Sequence, residues 1–117
     1  MIADKRTYVA AMLRKAAQRV VRGWCQGHYA VNRYGNPTST RGRAATRWCV
    51  VGAIEAAAFM EWGRRDAYQA LIDHLRKRGK WGKCPDLQDW NDTRGRTASQ
   101  VVRALRAAAD QVEKRGL

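Results

Sequence analysis

Two stretches of this chain hold the residue types that covalent chemistry needs. Trp48-Cys49-Val50-Val51-Gly52-Ala53 sets a cysteine at the head of an apolar run, and Trp90-Asn91-Asp92 with Arg96-Thr97 follows far downstream. A cysteine in the first turn of a helix gains thiolate character from the helix dipole, and a neighbouring base would make it a nucleophile. His28 and His74 are the only histidines and so the candidate bases, with Asn91 or Asp92 to orient one. A cysteine-dependent enzyme built on Cys49 is therefore one reading. The plainer reading makes Cys49 a small buried residue of an apolar helix, as free cysteines commonly are. The sequence leans toward that reading and away from catalysis.

Trp90-Asn91-Asp92 also reads two ways. Asn and Asp beside Gly and Thr are what a turn into a capped helix requires, with the tryptophan plugging the core. The functional version has Asn91 and Asp92 holding an arginine, a sugar hydroxyl or a metal. Cys25-x-x-His28 with Cys49 and Cys84 supplies enough soft ligands for one zinc, but a zinc site shows paired short spacings and this chain shows one. No cofactor is expected. A phosphate-cradling glycine loop, a dinucleotide fingerprint and a zinc-protease motif are all absent from the sequence.

Basic and aromatic residues interleave around the stretch 25–43: Trp24, His28, Tyr29, Arg33, Tyr34, Arg41, Arg43, Arg47 and Trp48. Arginine neutralises phosphate while exposed rings stack on bases, a mix that suits single-stranded nucleic acid or a nucleoprotein surface. Trp24 and Trp48 read better as core plugs, which leaves Tyr29 and Tyr34 as the exposed rings. A helix-turn-helix is not clear, so sequence-specific reading of a duplex is a minor option.

The whole composition points the same way. The 117 residues carry 23 Lys and Arg against 10 Asp and Glu, a net charge of +13, and the pI is near 10.7. Such chains seek polyanions, and the excess of Arg over Lys favours forked contacts to phosphate or carboxylate. With 45% hydrophobic residues and five Trp, the chain has enough apolar surface to fold, and its length fits a single domain, 1–117. An odd count of three cysteines and no long apolar run predict a reduced, cytoplasmic protein with no membrane partner. The early charges Asp4, Lys5 and Arg6 argue against a targeting segment.

The elements that must position these residues follow from periodicity. Val9, Leu13, Ala16, Val20 and Trp24 recur at helical spacing. The stretch from Thr46 to Met60 is apolar nearly all round and predicts a buried central helix, with Gly52 and the alanines admitting close neighbours and Gly63 ending it. Asp66 is a candidate N-cap before the stripe Tyr68, Leu71, Ile72 and Leu75. Thr97 with Gln100 makes a capping-box start for a last stripe of Val101, Val102, Leu105, Ala108, Ala109 and Val112. The prediction is an all-α, compact four-helix domain with helices at about 7–23, 46–61, 65–78 and 98–114. A long loop joins the first two, and a linker runs from Lys80 to Arg96.

The text Cys49-Val50-Val51-Gly52-Ala53, Trp90-Asn91-Asp92 and Arg96-Thr97 before an Ala-rich helix resembles a family of small uncharacterised proteins of actinobacteria, other bacteria and their phages. The resemblance covers roughly residues 44–112 and leaves the first helix and the 25–43 loop outside. It implies a compact helical fold and a phage or mobile-element origin, an origin that would favour a counter-defence or host-takeover inhibitor acting in the host cytoplasm as an alternative reading, and it transfers no catalytic residue. The leading expectation is a non-catalytic basic binding module for nucleic acid or a nucleoprotein complex. Its contacts would come from Arg14, Lys15, Arg19, Arg22, Tyr29, Arg33, Tyr34, Arg41, Arg43, Arg76, Lys77, Arg78 and Lys80. The alternatives are an inhibitor of an acidic bacterial protein and the Cys49 enzyme.

Overall fold

The structure is a computed structural model that describes residues 4–58 and 61–115. Its elements, in chain order, are α1 (Lys5–Arg22), β1 (Ala30–Val31), β2 (Arg47–Trp48), α2 (Val50–Ala57), α3 (Glu61–Lys77), α4 (Leu87–Asp92) and α5 (Ala98–Arg115). The chain is mostly helical, as the periodicity predicts. Its radius of gyration, 13.4 Å, is that of a compact chain of this length.

α1 begins where Asp4 accepts a hydrogen bond from the Thr7 amide at 2.8 Å. That bond holds the Asp4 carboxyl below its ordinary value. Val9, Ala10, Met12, Leu13, Ala16, Ala17 and Val20 form its buried face, which packs against α2, α3 and α5. The element at the centre of the packing is thus α1. α5 starts on the expected capping box: the Gln100 amide donates to Thr97 Oγ1 at 3.2 Å, and the Thr97 amide to Gln100 Oε1 at 3.1 Å. Arg14 of α1 pairs with Asp110 at 2.8 Å and with Glu113, tying the two long helices together on their outer side.

Five helices stand among the described residues where the spacing predicts four. The expected 46–61 helix shortens to Val50–Ala57 because the backbone before it has other partners. Arg47–Trp48 runs antiparallel to Ala30–Val31, with Ala30 opposite Trp48 and Val31 opposite Arg47. The amides of Thr46, Trp48 and Cys49 donate to Val31, Gly23 and Tyr29 carbonyls at 2.9, 3.0 and 3.1 Å. Cys49 therefore caps α2 instead of lying inside it. The part of that predicted helix on Phe59 and Met60 falls outside the described residues.

Gly63 does not stop a helix. It lies in the first turn of α3, where a Cβ would sit 2.4 Å from Tyr8 Cε1 and 2.7 Å from Met12 Cε, so its small size seats α3 on α1. Asp66 is correspondingly inside α3 and not its N-cap; it pairs with Lys5 at 2.7 Å. The close neighbour of Gly52 is a strand entry and not a helix: a Cβ there would lie 1.9 Å from the Tyr29 carbonyl oxygen. The stretch expected as linker carries α4, capped by Asp86, whose side chain accepts from the Asp89 amide at 2.8 Å. The 25–43 stretch is ordered by its turns and by β1.

Candidate functional site

Asn91 is fully buried and uses all of its hydrogen-bonding capacity. Its Oδ1 accepts from Trp24 Nε1 at 2.8 Å and from the Val50 amide at 2.9 Å. Its Nδ2 donates to the Cys25 carbonyl at 3.1 Å and to Asp92 Oδ1 at 2.9 Å. Asp92 also accepts from the Gly27 amide and from Gln88 Nε2, each at 3.0 Å. α4 thus clamps the start of the 25–43 loop onto the head of α2, and Trp90 plugs the core with its Nε1 on the Lys80 carbonyl at 3.2 Å. The Trp90-Asn91-Asp92 text acts as a fastening.

Cys49 is fully buried. Its sulfur accepts from the Gly52 amide and donates to Gln88 Oε1, both at 3.3 Å. Burial outweighs those helix-terminal amides and pushes the thiol up to about 12, the opposite of what a nucleophile needs. Neither histidine is among its hydrogen-bond partners. His28 is exposed, and His74, on α3, meets Gln111 through Nδ1 at 3.0 Å. Cys25 and Cys49 pack with Val31 in a small apolar cluster. No three His, Cys, Asp or Glu side chains come together as metal ligands among the described residues.

The cations separate into those engaged internally and those left facing outward. Arg14 is held by two carboxylates of α5. Arg41 donates to the Glu55 carbonyl at 3.0 Å and to that of Ala58, and Arg19 to that of Ala56 at 3.5 Å. These guanidiniums close the C-terminal end of the short α2, where free carbonyls and the dipole favour a cation. Arg19 and Arg22 also lie over the Trp48 ring at 5.5 and 5.9 Å. Burial, and then Arg22 and Arg41, lower the Arg19 guanidinium from its ordinary value. Trp48 itself is buried, with Nε1 on the Thr40 carbonyl at 2.9 Å.

On the ordered loop, Tyr29 and Tyr34 are 53% and 71% exposed. Arg33 lies over the Tyr34 ring at 4.8 Å, and Arg47 with His28 and Gly35 borders a shallow hollow. Lys15 and Arg43 are exposed on α1 and on the loop. Arg76 lies over Trp81 at 5.7 Å, and Lys77 borders an α3–α5 groove that also holds Asp66 and Asp73.

Arg78 and Lys80 come together with residues that the periodicity does not single out. A cleft of ≈ 310 Å³ opens between the end of α3, the following turn, Trp90 of α4 and the first turns of α5. Arg78, Lys80, Arg96 and Arg103 line it with His74 and Gln100, and Leu75, Trp90, Ala104 and Ala107 form its apolar wall. Among the described residues, no carboxylate lines it. Arg96 is fixed, with Nε on the Trp90 carbonyl at 3.0 Å and its guanidinium 4.3 Å from the Trp90 ring centroid. The signal that could have revealed this face is the capping box. Once α5 is fixed to start after Thr97, Gln100, Arg103, Ala104 and Ala107 fall at i, i+3, i+4 and i+7 on one stripe.

No helix of the described residues is long and apolar enough to cross a membrane. No curated protein and no solved structure matches the chain. A family of unknown function does match, over residues 4–111, which takes in the first helix and the 25–43 loop as well as the fastening at Trp90-Asn91-Asp92. On that match the chain belongs to the family of unknown function DUF6197.

Proposed function

We propose that this chain is a non-catalytic, cationic binding module whose partner is nucleic acid, alone or within a nucleoprotein complex. The observation that carries the reading is the loop face. The 25–48 segment is held together by the β1–β2 pairing and fastened to α4 by Asn91 and Asp92, yet it leaves Tyr29, Tyr34, Arg33 and Arg47 exposed, with Arg33 over the Tyr34 ring. Exposed rings on a loop that also exposes guanidiniums can stack on unpaired bases while the cations meet phosphate. The net charge of +13 supports the same reading, because association with a polyanion releases its condensed counterions. Cys49, buried and protonated, gives an enzymatic reading no comparable support.

The test is the anisotropy of a labelled single strand titrated with protein between about 50 and about 300 mM salt. Affinity should fall steeply across that range, and Tyr29→Ala with Tyr34→Ala should weaken binding by roughly 1–3 kcal/mol for each base unstacked. Absence of binding at micromolar protein, or an affinity indifferent to salt, overturns the reading. Partners captured from lysate that persist after nuclease treatment would instead assign the surface to an acidic protein.

A further inference from the structure

We propose that the cleft between α3, α4 and α5 is a binding site for the terminal phosphate of a nucleotide, with the nucleoside against the cleft's apolar wall. The choice of a nucleotide over another phosphate ester rests on the nucleic-acid reading above; the anion site itself rests on the geometry. At ≈ 310 Å³ the cleft sits near the lower bound of roughly 300 Å³ for small-molecule pockets, a size for one small organic group and not for an extended chain.

Its charge is what sets it apart. Several other cations are answered within the fold: Arg14 by Asp110 and Glu113, and Arg19 and Arg41 by the carbonyls that end α2. Arg78, Lys80, Arg96 and Arg103 converge on one concavity, and among the described residues none of them pairs with a carboxylate. Like charges sharing a concave site focus a positive potential that an anion relieves. Arg96 is already oriented, since its Nε is committed to the Trp90 carbonyl and its guanidinium lies over the indole. Its terminal nitrogens donate no hydrogen bond among the described residues and can fork onto phosphate.

The polar groups that remain suit the rest of a nucleotide. Gln100 spends its Oε1 on the Thr97 amide, so its amide nitrogen is left to donate. His74 donates to Gln111 Oε1 through Nδ1, which leaves Nε2 to accept from a sugar hydroxyl. Leu75, Ala104 and Ala107 offer the base an apolar face. A free nucleoside monophosphate and the phosphorylated end of a strand present this same chemistry.

Titration calorimetry with two matched pairs tests the site: AMP against adenosine, and one single-stranded oligonucleotide with a 5′-phosphate against the same strand with a 5′-hydroxyl. In at least one pair the phosphorylated member should bind about tenfold or more tighter, the scale of one charge-assisted contact. The double variant Lys80→Gln/Arg103→Gln should abolish that preference while its melting midpoint stays that of the native chain, because both side chains are exposed. Arg96→Lys should weaken the preference, since an ammonium keeps the charge and loses the fork. A preference seen only with AMP assigns a free nucleotide, and one seen only with the strand assigns a strand end. The absence of any phosphate preference, or one that survives in the double variant, overturns the proposal. If neither strand binds but AMP is preferred over adenosine, the nucleic-acid reading fails and the cleft site stands.

Discussion

At the scale of single residues, the polar groups that look most chemical are the ones most fully consumed by the fold. Asn91 meets Trp24, Val50, Cys25 and Asp92 at once, so Asn91→Leu strands buried donors and a buried carbonyl. The loss should be roughly 2–4 kcal/mol in urea unfolding, the range for breaking a buried network. Asn91→Asp keeps the acceptor toward Trp24 and Val50 but sets a carboxylate against the Cys25 carbonyl and Asp92. Burial and the neighbouring charge would raise the introduced carboxyl above its unfolded value of about 3.9. A raised group contributes stability at low pH and loses it as pH rises. The deficit relative to the native chain should therefore be largest near neutrality and shrink on acidification, and urea midpoints across pH read it directly. Cys49 gives a separate check. With its thiol pushed up to about 12 by burial, it should resist iodoacetamide in the native protein while the half-buried Cys84 reacts. Rapid labelling of native Cys49 would restore the enzymatic reading.

At the scale of elements, what decides the outcome is where backbone groups find partners. Helix propensity alone says Gly52→Ala should stabilise α2 by about 1 kcal/mol. The Tyr29 carbonyl, 1.9 Å from the added Cβ, says the reverse. Overpacking costs typically about 1–3 kcal/mol, and here the obstacle is backbone that cannot rotate aside, so the steric term wins and Gly52→Ala should lower the melting midpoint. The α1–α5 clasp is tested by acid. Hydrogen bonding from Arg14 holds the Glu113 carboxyl below its ordinary value. A depressed carboxyl contributes stability above the unfolded value that disappears as pH falls through the folded one. Arg14→Met should remove that acid-dependent part and leave a flatter profile below the ordinary carboxylate range. Backbone partners also separate what was legible in the sequence from what was not. The α1 stripe from Val9 to Val20 and the Thr97–Gln100 box are local signals, and the structure carries both. α4 is six residues long, too short for a helical period to register, and β1 and β2 are two residues each, too short to alternate. The start of α2 was hidden for another reason: its first expected turn is spent on Tyr29, Val31 and Gly23, partners distant in sequence. In the sequence Arg96 stands only in the Arg96-Thr97 text and Arg103 only beside the α5 stripe, because their meeting with Arg78 and Lys80 exists only once α3 and α5 are packed together.

At the scale of the whole molecule, a net charge of +13 is a poor guide to how many cations a polyanion can reach. Arg14, Arg19 and Arg41 spend their donors on α5 carboxylates and α2 carbonyls, while Arg33 and Arg43 stand exposed on the loop. Two double variants separate total charge from available charge, because each removes two positive charges. Arg33→Gln/Arg43→Gln should lower affinity for a single strand and flatten its dependence on salt, by about 0.7 in the logarithmic slope for each phosphate no longer neutralised, with the melting midpoint unchanged. Arg14→Gln/Arg41→Gln should do the opposite, lowering the melting midpoint by loosening α5 and uncapping α2, with the salt slope kept. If binding followed the summed field alone, the two variants would bind alike, since long-range steering registers net charge and not the partner each guanidinium already has. A difference between them in salt slope places the phosphate-binding cations on the loop face; identical slopes would disperse them over the whole cationic surface and remove the loop from the proposed site.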